Sequence, residues 1–426
     1  MGAMTTNNIP EIGIEKISVY PCTMGIDMRT LVEARGQNVA EVCGNMMINE
    51  RSVNPPWEDP VTMAVNGAAA MLTDADRQAI SLLLVGSESG LDQEKSLSTW
   101  VHRYLGLSDA CRNLEIKHAC YAGTAGLRLA SAWLLAHPDP AAKALVIATD
   151  QSRRHFGKPY EFVMGAGSVA LLLSRKPRFF SLDHELGGVY TYEVSDLTRP
   201  TSLVEAGHSE TSLLSYLDAV DITFGRYRQG LEQFHAAQIS SQAELAAWFP
   251  RQVYHAPFGG ITRRAHKSVL RSLPGYDKGA VEADFAQRVA PSLEFNRRMG
   301  GTYAASVFIS LLAAAASLAE EHPAGGRCGI YSYGSGSCAE FYSGSCLNPA
   351  AAREQAATLR TALDQRKPLT VAGYEEAESR RHAQIDQGDF RVGQDGLDDW
   401  YQERYAGKHL LTFRGAEEFV RDYDWS

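Results

Sequence analysis

The chain has 426 residues, a formal net charge of −9, and 45% hydrophobic against 21% charged residues. These figures describe a globular protein large enough for two domains or one duplicated unit, and the acidic balance argues against a general nucleic-acid binder. No uninterrupted apolar run approaches the ~20 residues that cross a bilayer, so no membrane association is expected.

Met1-Gly-Ala-Met4 resembles a cloning remnant, and residues 1–12 read as a tail without a signal pattern. Ser81-Leu-Leu-Leu-Val85 reads as a buried strand, and Glu88 follows it in Val85-Gly-Ser-Glu88-Ser-Gly90. Open α/β sheets place their chemistry at such strand ends. A helix is expected around Trp100 to Leu105. Next comes Leu114-Glu-Ile-Lys-His-Ala-Cys120-Tyr-Ala-Gly-Thr-Ala-Gly-Leu127, a short strand, a cysteine and a helix rich in small residues. That order puts Cys120 at a helix N-terminus, where free N–H groups and the dipole favour a thiolate. A buried, inert cysteine is the plain alternative.

Ala144-Leu-Val-Ile-Ala148 is a second buried strand, ending at Asp150, which reads as structural. Gly165-Ala-Gly167-Ser168 and Gly334-Ser-Gly336-Ser337 each read as a turn entering a strand, 169 residues apart. The helix after Cys120 has a similar echo in Gly301-Thr-Tyr-Ala-Ala-Ser-Val-Phe-Ile-Ser-Leu-Leu-Ala313. Two echoes in the same order suggest duplication. Tyr254-His255-Ala-Pro-Phe-Gly-Gly260 sets a histidine at a strand end, and Ile261-Thr-Arg263-Arg264-Ala-His-Lys267 then starts a helix with Arg263 and Lys267 on one face. The tail beyond Asn348 is richer in polar residues, with Leu369 to Tyr374 as an apolar element. The alternation of strands and helices is the α/β pattern. Seven cysteines without a CxxC pair, and histidines without a ligand cluster, point to a reducing cytoplasm and no metal site. No dinucleotide fingerprint is present.

Together these segments resemble the 3-hydroxy-3-methylglutaryl synthases of the thiolase superfamily over nearly the whole chain. Ala119 to Ala125 match the family's Ala-Cys-Tyr-x-Gly-Thr-Ala nucleophile motif, and Glu88-Ser-Gly-Leu-Asp92 its acid/base motif. His255-Ala-Pro-Phe258 matches its histidine motif, and Ser332 to Ser337 its late turn. Trp57 to Val61, Tyr192 to Pro200 and Leu213 to Asp218 look like the branch that installs carbon branches on polyketides. The resemblance implies a thiolase fold, with duplicated βαβαβαββ halves in five αβαβα layers. The division would be 13–177 with Glu88 and Cys120, 178–347 with His255 and Ser337, and an extension at 348–426.

It also implies a mechanism. Cys120 takes an acyl group from a thioester, and Glu88 removes the weakly acidic C–H proton. His255 polarises the acceptor ketone and protonates or hydrogen-bonds the new alkoxide. Tyr121, Phe258, Gly301, Gly336 and Ser337 are the expected substrate contacts, with backbone amides near Cys120 and Ser337 as an oxyanion hole. No bound cofactor is implied; the acyl groups ride on the phosphopantetheine arm of an acyl carrier protein or of coenzyme A. Donor and acceptor carrier proteins, and a second copy in a homodimer, are the implied partners. Arg29, Arg35, Arg263, Arg264 and Lys267 are candidates for a basic rim that meets an acidic carrier.

The chain departs from the family at two places. Gly301 stands where an Asn is expected to contact the thioester oxygen, and the segment from Gln151 to Met164 is short. Three readings stay open: a carrier-dependent branching synthase, a sterol-pathway synthase acting on coenzyme A esters, and a thiolase-fold subunit that binds without condensing.

Overall fold

A computed structural model describes residues 11–235, 248–271, 276–394 and 396–426. Ten strands form one mixed sheet: β1 (Gly13–Tyr20), β2 (Ile80–Gly86), β3 (Arg112–Ile116), β4 (Lys143–Gln151), β5 (Ala166–Ser174), β6 (Phe180–Leu182), β7 (Gly188–Thr191), β8 (Arg251–Tyr254), β9 (Gly326–Gly334) and β10 (Cys338–Cys346). Their order is β8-β9-β10-β6-β1-β5-β4-β2-β3, with β7 paired to β10. The order is mirrored about the short β1–β6 junction, where Gly13 faces Ser181 and Ile14 faces Phe180. On each side the first strand pairs antiparallel with the fifth and the fifth antiparallel with the fourth; the fourth runs parallel to the second. The two Gly-x-Gly-Ser segments enter β5 and β10, the equivalent fifth strands, as duplication requires. The first half is a complete βαβαβαββ unit. Among the described residues the second half has no counterpart of β3.

Alternation along the strands builds the layers. Leu83 and Val85 of β2 pack under α1 (Pro60–Ala69) and α2 (Leu97–Leu105) on one outer face. Leu82 and Leu84 point the other way, into a central core shared with α3 (Ala122–Ala136). In the second half, Tyr331, Tyr333 and Phe341 pack under α4 (Ser209–His235) and α5 (Gly259–Arg271). Ile330 and Tyr342 face the central core and α6 (Ser306–Glu321). Helix, sheet, central helices, sheet and helix therefore stack as a thiolase-like α/β fold. By composition α6 is apolar enough to span a bilayer, but it is buried in this core.

The extension is bound firmly to the core. Ala352, Ala356, Leu359 and Leu363 of α7 (Pro349–Asp364) pack into the central core. The expected element at Leu369 to Tyr374 is divided: Lys367–Pro368 pairs with Met24–Gly25, and α8 (Val371–Ala383) begins after its cap Thr370. An antiparallel hairpin, Leu411–Glu417 with Val420–Trp425, closes the chain over α1.

Candidate active site

Cys120 sits in a tight turn between β3 and α3. Ala119 before it has φ +41°, a left-handed conformation in which an L side chain is strained. The turn is pinned by Tyr121 N–H donating to His118 O (3.1 Å) and Ala122 N–H donating to Ala119 O (3.1 Å). Only glycine fits beneath it: a Cβ on Gly86 would lie 2.8 Å from Ala122 C, and one on Gly334 would lie 2.6 Å from Tyr121 Cβ.

The Cys120 thiol donates to Glu88 Oε1 at 3.2 Å, and Cys120 is only 8% exposed. The expected easy thiolate is not what the free enzyme holds. Burial, then the carboxylate of Glu88, push the thiol well above its usual range, because the helix terminus cannot offset an adjacent anion in a dry site. Glu88 is itself pushed up, first by burial and then by Asp150, so both groups resist ionisation and the carboxyl is the first of the pair to lose a proton.

Asp150 ties down the Glu88 turn. Its Oδ1 accepts from Glu88 N–H (2.9 Å), Ser89 Oγ (2.8 Å) and Ser87 Oγ (3.1 Å). Arg199 donates to the Glu88 main-chain carbonyl and pairs with Glu205 at 3.1 Å, while Glu205 also meets His155 Nε2 at 3.1 Å. Arg199, Glu205 and His155 were invisible as site residues in the sequence. Arg199 and Glu205 share the loop of one short hairpin, Leu197–Thr198 with Ala206–Gly207, and His155 comes from a separate loop after β4.

His255 follows β8 as Glu88 follows β2, the second strand of each half. It is 1% exposed, and burial pulls its pKa down to about 3, so the ring is neutral. Its Nδ1 lies 2.7 Å from Ser306 Oγ, which already accepts from Ala256 N–H at 3.4 Å. A serine hydroxyl that donates to Nδ1 leaves the ring proton on Nε2. Among the described residues Nε2 has no partner.

A cavity of about 390 Å³ opens against these groups, lined by Cys120, His255, Phe258, Met164, Tyr333 and Arg264 among others. Of the expected contacts, Cys120, His255 and Phe258 line it, and Glu88 stands directly behind the sulfur. Tyr121 does not line it: its hydroxyl donates to Glu340 (2.7 Å), a carboxylate also held by Arg128. The amides assigned to Gly336 and Ser337 are engaged elsewhere, with Asp196 Oδ1 (3.0 Å) and Tyr192 O (2.8 Å). The neighbouring Ser335 lines the cavity instead. Gly301 lies behind the wall, bonded to Val163 O (2.7 Å). A Cβ there would lie 2.7 Å from Pro257 O, so no Asn fits without backbone movement. Asn296 is spent on Ser306 O and Ser310 Oγ.

The basic candidates separate. Arg264 lines the cavity, and Lys267 is exposed on the same helix. Arg263 pairs with Glu282 at 2.7 Å. Arg29 is exposed at the start of the Met28–Ala34 helix. Arg35 is not a free rim charge, since Glu161 and Glu375 each hold it at 2.7 Å.

A mirrored thiolase-like fold with a buried cysteine, carboxylate and neutral histidine around one cavity defines an acyl-transferring, carbon–carbon bond-forming enzyme. The family model for the hydroxymethylglutaryl-coenzyme A synthase C terminus matches residues 277–409. The polyketide biosynthesis 3-hydroxy-3-methylglutaryl-ACP synthase PksG of Bacillus subtilis is 37% identical over 376 residues, 85% of this chain and 87% of that protein. The hydroxymethylglutaryl-CoA synthase of Enterococcus faecalis is 33% identical, over 85% of this chain and 90% of its own. The curacin biosynthetic pathway HMG synthase in complex with holo donor-ACP superposes with a TM-score of 0.89 at 36% identity, covering 98% of this chain and 100% of that one. The chain belongs to the hydroxymethylglutaryl synthase family.

Proposed function

We propose that this enzyme performs polyketide β-branching. An acetyl group moves from a donor acyl carrier protein to Cys120 and adds aldol-fashion to the β-keto carbon of an acceptor-carrier-bound chain. Hydrolysis then releases a 3-hydroxy-3-methylglutaryl-type product on its carrier. The observation that carries this reading is the 3.2 Å contact between Cys120 and Glu88 beside the cavity that His255 lines, in a chain similar to synthases of polyketide pathways.

The chemistry follows from the contact between sulfur and carboxyl. As Cys120 attacks the incoming thioester, Glu88 takes the thiol proton and returns it to the departing pantetheine sulfur. Glu88, now facing acetyl-Cys120, removes a methyl proton. The enolate carbon attacks the acceptor ketone, whose oxygen accepts from His255 Nε2–H. A neutral imidazole held by Ser306 is suited to donate a hydrogen bond here, and not to give up its last proton; the proton Glu88 took neutralises the new alkoxide. Water then attacks acyl-Cys120, and the thiol is restored.

Arg264 at the cavity, with Arg263, Lys267 and Arg29, would meet the acidic carrier and its phosphopantetheine phosphate. We divide the chain at 177/178, just before β6, and at 347/348, just before α7. A homodimer belongs to the same reading: β3 is an open edge strand with Leu114 half exposed, and Leu129 of α3 is exposed nearby in sequence. So does a cytoplasmic location, for all seven cysteines are free thiols.

Intact-mass measurement after mixing with acetyl-loaded carrier protein or with acetyl-CoA tests the proposal. The expected result is rapid acetylation of Cys120 by the carrier and slow acetylation by acetyl-CoA. Equal acetylation by both, with turnover of acetoacetyl-CoA, would assign the enzyme to primary metabolism. Acetylation followed by no condensation with either acceptor would reduce it to a binding subunit.

A further inference from the structure

The turn that opens α6 is the counterpart of the turn that carries Cys120. Ala119 and Tyr303 both have positive φ, +41° and +49°, and each stands three residues before the first residue of its helix. The two helix starts meet at the pseudo-symmetry axis, where a Cβ on Gly123 would lie 2.9 Å from Ala304 O. The second turn carries no nucleophile. It carries Tyr303, a bulky residue in a conformation that costs energy to hold.

Tyr303 is 1% exposed and packs in one cluster with Cys120, Val163 and Met164. Its hydroxyl is buried with no hydrogen-bond partner among the described residues, although buried tyrosine hydroxyls ordinarily find one. The Arg199 guanidinium lies 5.8 Å from the ring centroid, and that same arginine holds the Glu88 backbone. Burial and the negative charges of Glu205, Glu88 and Asp150 keep the phenol protonated, hence a donor. Two positions earlier, Gly301 offers no side-chain donor, and the backbone behind it leaves no room for one.

We propose that the Tyr303 hydroxyl is the oxyanion donor for the acetyl group on Cys120, stabilising its carbonyl oxygen as the enolate forms. The inference rests on the acyl-cysteine reading above. Glu88 removes a methyl proton; the C–H pair becomes the enolate C–C π bond, and the carbonyl π pair moves onto oxygen. Tyr303 donates a hydrogen bond to that oxygen and keeps its proton. Return of a proton from Glu88 reverses the step, so the methyl group exchanges with solvent without any acceptor.

The experiment follows that exchange. Wild type and Tyr303→Phe are acetylated, transferred to D₂O, and the Cys120 peptide is analysed by mass spectrometry. Wild type should take deuterium into the acetyl methyl group. Once acetylated, the variant should exchange on the order of 10²-fold more slowly than acetylated wild type. Exchange at the wild-type rate would overturn the assignment. If wild type itself forms no acetyl-Cys120, the functional reading has failed and this inference falls with it. If the phenylalanine variant does not fold or acetylate, 3-fluorotyrosine at position 303 decides. Its more acidic phenol should speed exchange, and an unchanged rate would overturn the proposal.

Discussion

Glu88 and His255 occupy the same place in the two halves of the molecule, just past the second strand, yet their surroundings are opposite. Around Glu88 charge gathers: Asp150 on the backbone, Arg199, reaching over from the second half, on the carbonyl, and a thiol on the carboxyl. Around His255 the second half supplies apolar walls and one serine hydroxyl. The first half carries Cys120 in the turn that opens α3, whereas the matching turn that opens α6 holds Tyr303 and Ala304 and no nucleophile. The two equivalent strand ends now hold a carboxylate beside a thiol in one half and a neutral imidazole in the other.

The largest test of that division is Cys120→Ser, which should abolish acyl-enzyme formation in intact-mass spectra, since an alcohol has no comparable anion near neutral pH. His255→Ala should break the other side alone. Acylation should persist within about tenfold while condensation, followed as product on the acceptor, falls on the order of 10²- to 10³-fold. Equal loss of both steps would mean that the halves do not divide the work.

Ser306→Ala should act more mildly, through His255. Without the hydroxyl the imidazole is free to change tautomer, and condensation should fall roughly tenfold or more with acylation unchanged; Ser306→Thr should recover much of the rate. The charge around Cys120 gives a pH test. Glu88 holds the thiol up, so Glu88→Gln removes a negative charge and should shift alkylation of Cys120 by iodoacetamide to lower pH. A shift to higher pH would contradict the contact. The smallest effect belongs to Gly301→Asn. Because its Cβ meets the Pro257 carbonyl, it should lower stability by about 1–3 kcal/mol in denaturant titration and bring no gain in rate.

Much of the site was legible because its chemistry is written in short segments. A cysteine between a strand and a small-residue helix, a glutamate after an apolar run and a histidine before a Pro/Gly turn are each local patterns. The paired Gly-x-Gly-Ser turns announced the duplication for the same reason. Other assignments failed where distant contacts intervened. Tyr121 follows the nucleophile in sequence, but Glu340, brought close by β10, draws it out of the cavity. Ser337 lies in the right turn, but its amide is taken by Tyr192. Arg35 is basic, but it is neutralised by two carboxylates from other elements.

The sequence by itself determined the α/β alternation, the family, and the three residues at the centre, because apolar periodicity and turn chemistry are properties of neighbouring residues. Tertiary structure alone decided the proton. A helix N-terminus predicts a thiolate at Cys120, whereas burial beside Glu88 holds a thiol there. It also set the histidine's tautomer through Ser306 and left the Tyr303 hydroxyl without a partner. Those outcomes depend on which groups from distant segments share a site of low dielectric, where a single unscreened charge outweighs any local preference.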